Sequence, residues 1–179
     1  MNKKINKIDL FKNVKLLILD VDGVLTKGEI IYDSEGREFK VFNVKDGLGI
    51  YILSKFGIPI IFLSAKDSEI IRKRAQDLGV SKVIAGILPK ESVLENLISE
   101  YNVKRDEICF IGDDLIDLGL IEKVGIGVAV NDAISILKKR AKYITKKRGG
   151  EGAVREVVDL ILKAKKLEDK LELFLKNKI

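Results

Sequence analysis

The chain has 179 residues, of which 46% are hydrophobic and 34% charged, with two prolines; this is typical of a globular protein long enough to bury a core. It contains no histidine, which excludes Ser-His-Asp and Cys-His catalysis and imidazole metal sites, so a metal would need oxygen ligands, as Mg²⁺, Ca²⁺ and Mn²⁺ prefer. The net charge of +6 comes partly from lysines near the C-terminus, where the lack of interleaved aromatic residues favours a solvated helix face over a nucleic-acid surface.

Three further features indicate where the protein works. The longest apolar runs, such as residues 58–63, are too short to span a bilayer. Residues 1–15 begin with lysines but lack the apolar segment of a secretory signal. Cys109 is the only cysteine, and its apolar neighbours predict a buried thiol. We therefore expect a cytoplasmic protein that binds neither membranes nor nucleic acids.

Apolar runs alternate with amphipathic stretches along almost the whole chain. The predicted buried strands are residues 15–20, 59–63, 82–85, 107–111 and 124–128. The predicted helices are residues 47–56, 67–78, 90–101, 114–123 and 132–140, followed by a C-terminal helical tail over 153–179. Asp67 and Asp132 stand where helix N-caps are expected, and Gly57 and Gly79 where C-caps are expected. This order predicts one α/β domain over residues 1–179, built on a doubly wound parallel sheet.

Residues 28–42 interrupt the alternation directly after the first strand. Residues 29–32 and 37–42 have strand character and flank the four-residue segment Asp33-Ser-Glu-Gly36. This pattern predicts a β-hairpin. Because it follows the first strand so closely, the hairpin should project from the carboxyl edge of the sheet.

Four segments with polar residues follow successive predicted strands. They are Asp20-Val-Asp22-Gly-Val-Leu-Thr26, Ser64, Lys90 and Gly112-Asp113-Asp114-Leu-Ile-Asp117. Each segment alone is more typical of a turn, a helix cap or a surface position than of a functional site. Ligands of open α/β sheets, however, bind beyond the carboxyl ends of the strands, near the point where the strand order reverses. The four segments together therefore predict one crevice.

The carboxylates of this crevice predict a divalent cation. Packed carboxylates repel each other and repel a phosphate dianion, and a bound cation relieves both repulsions. The predicted metal ligands are Asp20, Asp22 and Asp113, with a backbone carbonyl among the donors. Asp114 and Asp117 would orient Lys90 or metal-bound water from outside the ligand set.

The same residues predict phosphoryl transfer through an aspartyl-phosphate. Asp20 would attack phosphorus as the nucleophile, which splits one displacement into two easier ones. Asp22 would protonate the departing alkoxide and later deprotonate the attacking water. Ser64 would donate a hydrogen bond to the transferring group, and Lys90 would hold it by charge.

The four segments resemble the four motifs of the haloacid dehalogenase superfamily of phosphatases, in the order given above. Residues 42–47, 112–117, 128–130 and 149–156 are in addition similar to the 3-deoxy-D-manno-octulosonate 8-phosphate phosphatase family within it. This resemblance covers about residues 14–165. It implies a Mg²⁺-dependent phosphatase for a small sugar-acid phosphate in lipopolysaccharide-precursor synthesis, with a hairpin flap and no large cap domain.

The resemblance also implies a set of substrate-binding residues, matched position by position. They are Asp22, Lys90, Asn43, Val44, Lys45, Asp46, Gly47, Lys66 and Arg74. Lys66 replaces the arginine of the family's second motif, because this chain has Ser64-Ala-Lys66 where the family has Thr-Gly-Arg; it keeps the charge but not the bidentate fork. Tyr51 stands where the family has a further arginine. These departures leave a related nine-carbon keto-acid phosphate as an alternative substrate.

The spacing of the segments also bears on assembly. The segments from Asp22 to Ser64 and from Ser64 to Lys90 are too short for a core helix together with a full cap domain. An uncapped crevice exposes the acyl-phosphate to water, so a neighbouring subunit is expected to supply the missing wall. The resemblance likewise implies a homotetramer with shared sites. The hairpin and residues 148–152 are the candidate contact elements, although a flexible joint is the alternative for the second of them.

Two other functions fit part of the pattern. A phosphomutase or another small-metabolite phosphatase would use the same four segments, but such enzymes usually carry a larger cap. A receiver-like signalling module also combines acidic residues, a lysine and a hydroxyl with Mg²⁺. It would need neither Asp22 nor the hairpin, and it would not sustain turnover.

Overall fold

The computed structural model describes residues 7–176 and shows a six-stranded parallel sheet with a separate antiparallel hairpin. The strands are β1 (Leu16–Leu19), β2 (Ile31–Tyr32), β3 (Glu38–Phe39), β4 (Ile60–Ser64), β5 (Lys82–Ala85), β6 (Ile108–Gly112), β7 (Ile126–Ala129) and β8 (Tyr143–Ile144). The helices are α1 (Val44–Lys55), α2 (Glu69–Leu78), α3 (Leu94–Tyr101), α4 (Leu118–Lys123), α5 (Ser135–Arg140), α6 (Ala153–Ala164) and α7 (Glu168–Lys176). The sheet order β5-β4-β1-β6-β7-β8 confirms the predicted doubly wound fold.

The centre of the sheet places the ends of β1 and β6 side by side. Every residue of β1, β4 and β6 is buried, as expected for parallel strands covered by helices on both faces. Cys109 of β6 is among them, as predicted. In the register, Leu19 pairs with Phe62 on one side and Ile111 on the other. Since the chain runs from β1 to β4 and later returns to β6, the strand order reverses between β1 and β6, which is where ligands bind in such folds.

α6 shows why the C-terminal half folds onto this sheet. Its buried positions follow helical spacing and are Ala153, Val154, Val157, Val158, Ile161 and Leu162. This stripe faces the core, and α1 packs beside it. The contact between α1 and α6 brings the loop before α6 next to the loop after β1.

The two predicted helix N-caps are wrong. Ser68 caps α2, whereas the carboxylate of Asp67 pairs with Arg72 at 2.7 Å. α5 has no side-chain cap, and Asp132 instead accepts a hydrogen bond from the N–H of Gly149 at 2.9 Å. In both cases the prediction started the helix too early, because an aspartate in a loop can equally bind a neighbouring loop or side chain.

The helix C-termini follow the prediction more closely. Gly79 ends α2 in the left-handed conformation (φ 68°). Gly57 (φ 79°) directly follows Phe56, the C-cap residue of α1. The predicted C-terminal helix is instead two helices, because the chain turns at Lys166 (φ 56°) between α6 and α7. The end of the predicted tail, 177–179, lies outside the described residues. Across residues 7–176, no helix is both long and apolar enough to cross a membrane.

β2 and β3 form the predicted hairpin. The Asp33 carboxylate accepts hydrogen bonds from the backbone N–H groups of Glu35 and Arg37, both at 2.9 Å, and Gly36 takes the positive φ of 78° that the turn needs. Several apolar side chains of the hairpin are exposed, namely Ile30, Ile31, Tyr32, Phe39 and Val41. Between β1 and β4 the chain holds this flap and α1 and no large cap domain.

Candidate active site

Asp20 lies in the interior at the carboxyl end of β1. Only 3% of the residue is exposed, and its backbone N–H donates to the carbonyl of Ile111 at 3.0 Å. Beyond it the chain curls tightly, because the hydroxyl oxygen of Thr26 accepts hydrogen bonds from the N–H groups of Gly23 and Gly28 at 3.3 and 3.2 Å. The first predicted segment therefore forms a compact loop that fixes Asp20 at the switch point.

Lys90 reaches this point from the loop after β5. It begins a 3₁₀ turn, and its side chain is fully buried. Its Nζ donates to Oδ1 of Asp20 at 2.5 Å and to Oδ1 of Asp117 at 2.7 Å. The structure thus brings together three of the four predicted segments through one buried ammonium group.

The Gly-Asp-Asp segment after β6 is organised by the carboxylate of Asp117. Its Oδ2 accepts hydrogen bonds from the N–H groups of Asp113 and Asp114 at 2.8 and 3.3 Å. A Cβ on Gly112 would lie 2.5 Å from this oxygen, so the position requires glycine. The exposed side chain of Asp114 caps the following turn at Leu115. Asp117 orients both the loop and Lys90.

The cluster carries an excess of negative charge. One carboxylate oxygen from each of Asp20, Asp113 and Asp117 lies within 4.8 Å of the others; three carboxylates and the ammonium of Lys90 sum to −2. Burial, with repulsion from Asp117, raises the pKa of Asp20 to about 6. Burial, with repulsion from Asp20 and Asp117, raises the pKa of Asp113 to about 8. Although burial acts to lower it, the two carboxylates that contact Lys90 raise its pKa above the ordinary value.

These donors fit a divalent cation. The excess charge of the cluster equals the charge that Mg²⁺ would neutralise, and all its donors are the hard oxygens that Mg²⁺ prefers. Asp20 and Asp113 would hold the ion through their carboxylates, since Asp117 is occupied by Lys90 and backbone N–H groups. The Asp22 carboxylate does not join the cluster, because it binds Lys40. Of this predicted ligand, the backbone carbonyl is the expected donor, since one carboxylate oxygen is held by Lys40.

A chain of ion pairs links the hairpin to the site, and the sequence interpretation missed it. Lys40 donates to Oδ1 of Asp22, and its ammonium lies 3.2 Å from Glu38. The other oxygen of Glu38 accepts a hydrogen bond from Lys66 at 2.8 Å. Side chains alternate between the two faces of a strand, so residues 37–42 place Glu38 and Lys40 on the same face. This pattern would have predicted that the two residues lie together.

Ser64 closes β4, and only 2% of it is exposed. Its hydroxyl donates to the carbonyl of Lys66 at 2.9 Å and accepts from the N–H of the same residue at 3.1 Å. The serine therefore shapes the loop that carries Lys66. It lies at the same edge of the sheet as Asp20, because β4 pairs with β1 in parallel.

The predicted substrate loop divides into structural and exposed residues. Asn43 caps α1 through the N–H groups of the next turn, and its amide donates to the carbonyl of Gly150 at 3.1 Å. Asp46 is 1% exposed, and its carboxylate accepts from the N–H groups of Gly152 and Arg155 at the start of α6 at 3.2 and 2.7 Å. The prediction that Asp46 reaches substrate hydroxyls is therefore wrong for this arrangement. Burial raises the pKa of this carboxyl group.

Of the other predicted substrate-binding residues around this loop, some are exposed and two pack against each other. Val44 and Lys45 are exposed on the first turn of α1. Gly47 is buried against the guanidinium of Arg74, which also stacks on the ring of Phe42, 5.5 Å from its centre. Arg74 is thus held at the base of the hairpin, while Lys66 and Lys45 are exposed.

The glycine-rich segment before α6 packs on its own chain. Gly149 is buried and so close to Gly23 that a Cβ would lie 1.6 Å from the Gly23 carbonyl oxygen, and the N–H of Gly150 donates to the carbonyl of Val24 at 2.9 Å. These glycines support the loop after β1 of their own chain, and their contact with a neighbour's crevice stays a prediction. Arg148 is exposed and pairs with Asp132 at 3.2 Å.

Comparison with known proteins identifies the fold and the family. The sequence profile of the haloacid dehalogenase-like hydrolases matches residues 57–157. The 3-deoxy-D-manno-octulosonate 8-phosphate phosphatase of Yersinia pestis is 41% identical over 160 residues, which cover 89% of this chain and 84% of that protein. The enzyme of the same name from Escherichia coli K12 is 40% identical over 86% of this chain and 81% of its own length.

Solved structures agree with this. The phosphatase of the same name from Moraxella catarrhalis, solved in complex with a magnesium ion, a phosphate ion and a 3-deoxy-D-manno-octulosonate (KDO) molecule, superposes with a TM-score of 0.91 and 39% identity over 96% of this chain and 99% of that one. The cobalt-bound enzyme from Haemophilus influenzae gives a TM-score of 0.86 and 38% identity over 93% and 99% of the two chains. The chain therefore belongs to the haloacid dehalogenase-like hydrolases and, within them, to the 3-deoxy-D-manno-octulosonate 8-phosphate phosphatase family.

Proposed function

We propose that this protein is a Mg²⁺-dependent phosphatase that hydrolyses 3-deoxy-D-manno-octulosonate 8-phosphate through an aspartyl-phosphate on Asp20. One observation carries the proposal: a buried cluster of three carboxyl groups and one ammonium group lies at the switch point of the sheet, and its charge is −2 when all three carboxyl groups are ionised. Such a cluster suits a divalent cation and a phosphoryl group together. The names and ligands of the relatives support the choice of substrate.

The residues would divide the reaction into two displacements. With a pKa of about 6, Asp20 is ionised at neutral pH, and one of its oxygens attacks phosphorus while the bond to the sugar oxygen breaks. Asp22 donates a proton to that oxygen, so the sugar leaves as a neutral alcohol. Asp22 then takes a proton from water as the water attacks phosphorus. The bond to Asp20 breaks, which releases phosphate and restores the free carboxylate.

The surrounding groups would bind and orient the phosphoryl group. Mg²⁺, when bound by Asp20, Asp113 and the carbonyl of Asp22, would withdraw charge from the phosphoryl oxygens. Lys90 keeps a fixed positive charge beside the nucleophile, and Ser64 offers a hydroxyl at the same edge of the sheet. Lys90 is held in place before substrate binds, whereas the Ser64 hydroxyl, which donates to the carbonyl of Lys66, would have to turn toward the phosphoryl group.

Three cationic side chains would bind the carboxylate of the sugar. Lys45 lies on α1, Lys66 in the loop after β4 and Arg74 on α2, and each could pair with a carboxylate. Lys66 offers a point charge where the family carries an arginine, and Tyr51 removes another positive charge. These two substitutions support a related nine-carbon keto-acid phosphate as the second candidate substrate.

We also propose a homotetramer whose neighbouring subunits complete the sites. The exposed apolar side chains of the hairpin, together with Val44 (80% exposed) and Leu48 (47%) on α1, form one region that would be shielded by such contacts. Given a lone, buried cysteine, we further propose the cytoplasm as its location.

A panel of phosphate esters tests the proposed activity. We expect sustained release of phosphate over many turnovers from 3-deoxy-D-manno-octulosonate 8-phosphate with Mg²⁺, and none in excess chelator. Asp20→Asn should lower the rate at least about 1000-fold, while the matched variant Asp106→Asn, at an exposed aspartate before β6, should retain turnover. Faster hydrolysis of nine-carbon keto-acid phosphates would select the second substrate. A rate for Asp20→Asn close to that of the unmodified protein would refute the nucleophile.

A further inference from the structure

The hairpin brings a buried lysine to the proposed acid and base of the reaction. Nζ of Lys40 donates to Oδ1 of Asp22 and lies 3.2 Å from Oε1 of Glu38. Only 4% of the Lys40 side chain is exposed, against 38% for Asp22. Its ion-pair partners within residues 7–176 are these two carboxylates, so the lysine is committed to them.

This burial distinguishes Lys40 from an incidental surface cation. The residues on either side of it in the hairpin, Phe39 and Val41, are 48% and 63% exposed, so the strand turns Lys40 inward while its neighbours face outward. Burying an ammonium is costly unless it is paired. Exposed ion pairs contribute little to stability, whereas the pair of Lys40 with Asp22 connects the hairpin to the loop after β1.

The pairing leaves Asp22 with one fixed oxygen and one open oxygen. Oδ1 is held by Lys40, while Oδ2 accepts no hydrogen bond from any other group in the described part of the chain. An acid that must give a proton to one oxygen and take one from another needs its carboxyl group held in a single orientation. We propose that Lys40 is a positioning residue for the reaction, holding Oδ1 of Asp22 so that Oδ2 exchanges the proton with the substrate and with water.

Glu38 extends this series of ion pairs across the hairpin. Its two oxygens contact Lys40 and Lys66 separately, at 3.2 and 2.8 Å. Glu38 therefore gives Lys40 a second carboxylate partner besides Asp22 and contacts both lysines. The inner face of the hairpin thus connects Asp22, the proposed proton-transferring group, with Lys66, a cation proposed to bind the sugar acid. The inference about Lys40 rests on the proposed function, in which Asp22 is the acid and base.

The test compares leaving groups, because only a poor leaving group needs protonation. We would measure kcat/KM, which reports formation of the aspartyl-phosphate, for three esters at saturating Mg²⁺. They are 3-deoxy-D-manno-octulosonate 8-phosphate, glycerol 3-phosphate and p-nitrophenyl phosphate. The variants are Lys40→Met, Lys40→Arg, Asp22→Asn and the double variant. Arg37→Met is the matched control, since it removes a hairpin cation that pairs with Asp33 and Glu35 instead.

For Lys40→Met we expect a loss of about 100-fold on both alkyl esters and less than about fivefold on p-nitrophenyl phosphate. Lys40→Arg should recover at least about tenfold of that loss, and the double variant should be no slower than Asp22→Asn alone, because the two residues act as a unit. Arg37→Met should change no substrate by more than about threefold. Melting curves would confirm that each variant is folded.

Other results would overturn the inference. Equal losses on all three esters would mean that Lys40 binds the phosphate, and a loss confined to the sugar acid would mean that it binds the sugar. A similar loss in Arg37→Met would assign the effect to the fold of the hairpin. If Asp22→Asn shows the selective loss and Lys40→Met does not, the inference fails alone. If Asp22→Asn shows none, the proposed acid fails and the inference fails with it.

Discussion

Nζ of Lys90 lies 2.7 Å from Oδ1 of Asp117, and neither side chain is exposed. The same ammonium contacts Asp20 at 2.5 Å, so one cation serves two carboxylates inside the protein. Removing one partner of a buried pair costs about 3–5 kcal/mol, because the charge that remains is not solvated by water. Lys90 is therefore needed for stability as well as for its proposed contact with the phosphoryl group.

Lys90→Met should lower the free energy of unfolding of the metal-free protein by about 3 kcal/mol at pH 8, because it leaves three carboxylates without a cation. Lys82→Met is a matched control. Lys82 pairs with Glu100 at 2.6 Å, but the two side chains are 41% and 44% exposed, so we expect little loss of stability. Urea unfolding in chelator would measure both variants. Equally small losses would show that the cluster does not need its lysine.

The carboxyl groups of the site predict how metal-free stability depends on pH. Burial is the main cause that raises the pKa of Asp20 to about 6 and that of Asp113 to about 8, from an ordinary 3.8. The folded protein therefore binds these protons more tightly than the unfolded chain does. The resulting stabilisation is complete below about pH 4 and is lost as the pH rises through 6 and then 8.

Asp113→Asn should flatten this decline, because it removes one titrating group and weakens the repulsion on Asp20. Asp114→Asn should follow the unmodified protein closely, since Asp114 is exposed and its repulsion is the smallest of the causes that raise the pKa of Asp113. Added Mg²⁺ should restore the stability of the unmodified protein at pH 8 and have little effect on Asp113→Asn. The measurement is urea unfolding from pH 5 to 9, first in chelator and then with Mg²⁺. Parallel curves for Asp113→Asn and the unmodified protein would contradict the assignment.

The strands and the strand-end residues were predictable because both follow from local pattern. Uninterrupted apolar runs identified five of the six strands of the sheet, and parallel strands necessarily bring their carboxyl ends to one edge. Asp20, Lys90 and Asp113 met there as expected. β8 was missed because it has only two residues, Tyr143 and Ile144, too few for a periodic signal.

The side-chain contacts were less predictable because they depend on how loops fold over one another. The hairpin was evident from its turn residues, but its closure onto Asp22 through Lys40 depends on tertiary geometry. Asp46 was interpreted as a substrate ligand because it lies in a loop that the family uses for binding. In the fold, α1 packs beside α6, and Asp46 binds the start of α6 instead.

Asp46→Ala should destabilise the protein by about 1–3 kcal/mol, because it leaves the N–H groups of Gly152 and Arg155 without their buried acceptor. Hydrogen exchange should accelerate at the first turn of α6 and not in α3, which lies elsewhere in the fold. The KM for the sugar-acid phosphate should stay within about threefold. A large rise in KM with unchanged exchange at α6 would restore the interpretation of Asp46 as a substrate ligand.

Lys66 and Glu38 lead to a prediction about specificity. Lys66 is 49% exposed and pairs with Glu38, so a substrate carboxylate would have to compete with Glu38 for this lysine. Lys66→Ala should raise KM about tenfold for carboxylated sugars and little for glycerol 3-phosphate, whereas Lys66→Arg should lower it for the carboxylated sugars by supplying a bidentate partner.

Arg72→Met is the matched control for this effect. Arg72 is also a half-exposed cation on the segment after β4, but it pairs with Asp67 rather than with the flap. We expect its KM values to match those of the unmodified protein for every ester. Steady-state kinetics on the paired esters would measure this. If Lys66→Ala raises KM equally for glycerol 3-phosphate and for the sugar acids, Lys66 binds the phosphoryl group, because that is the only charged group the esters share.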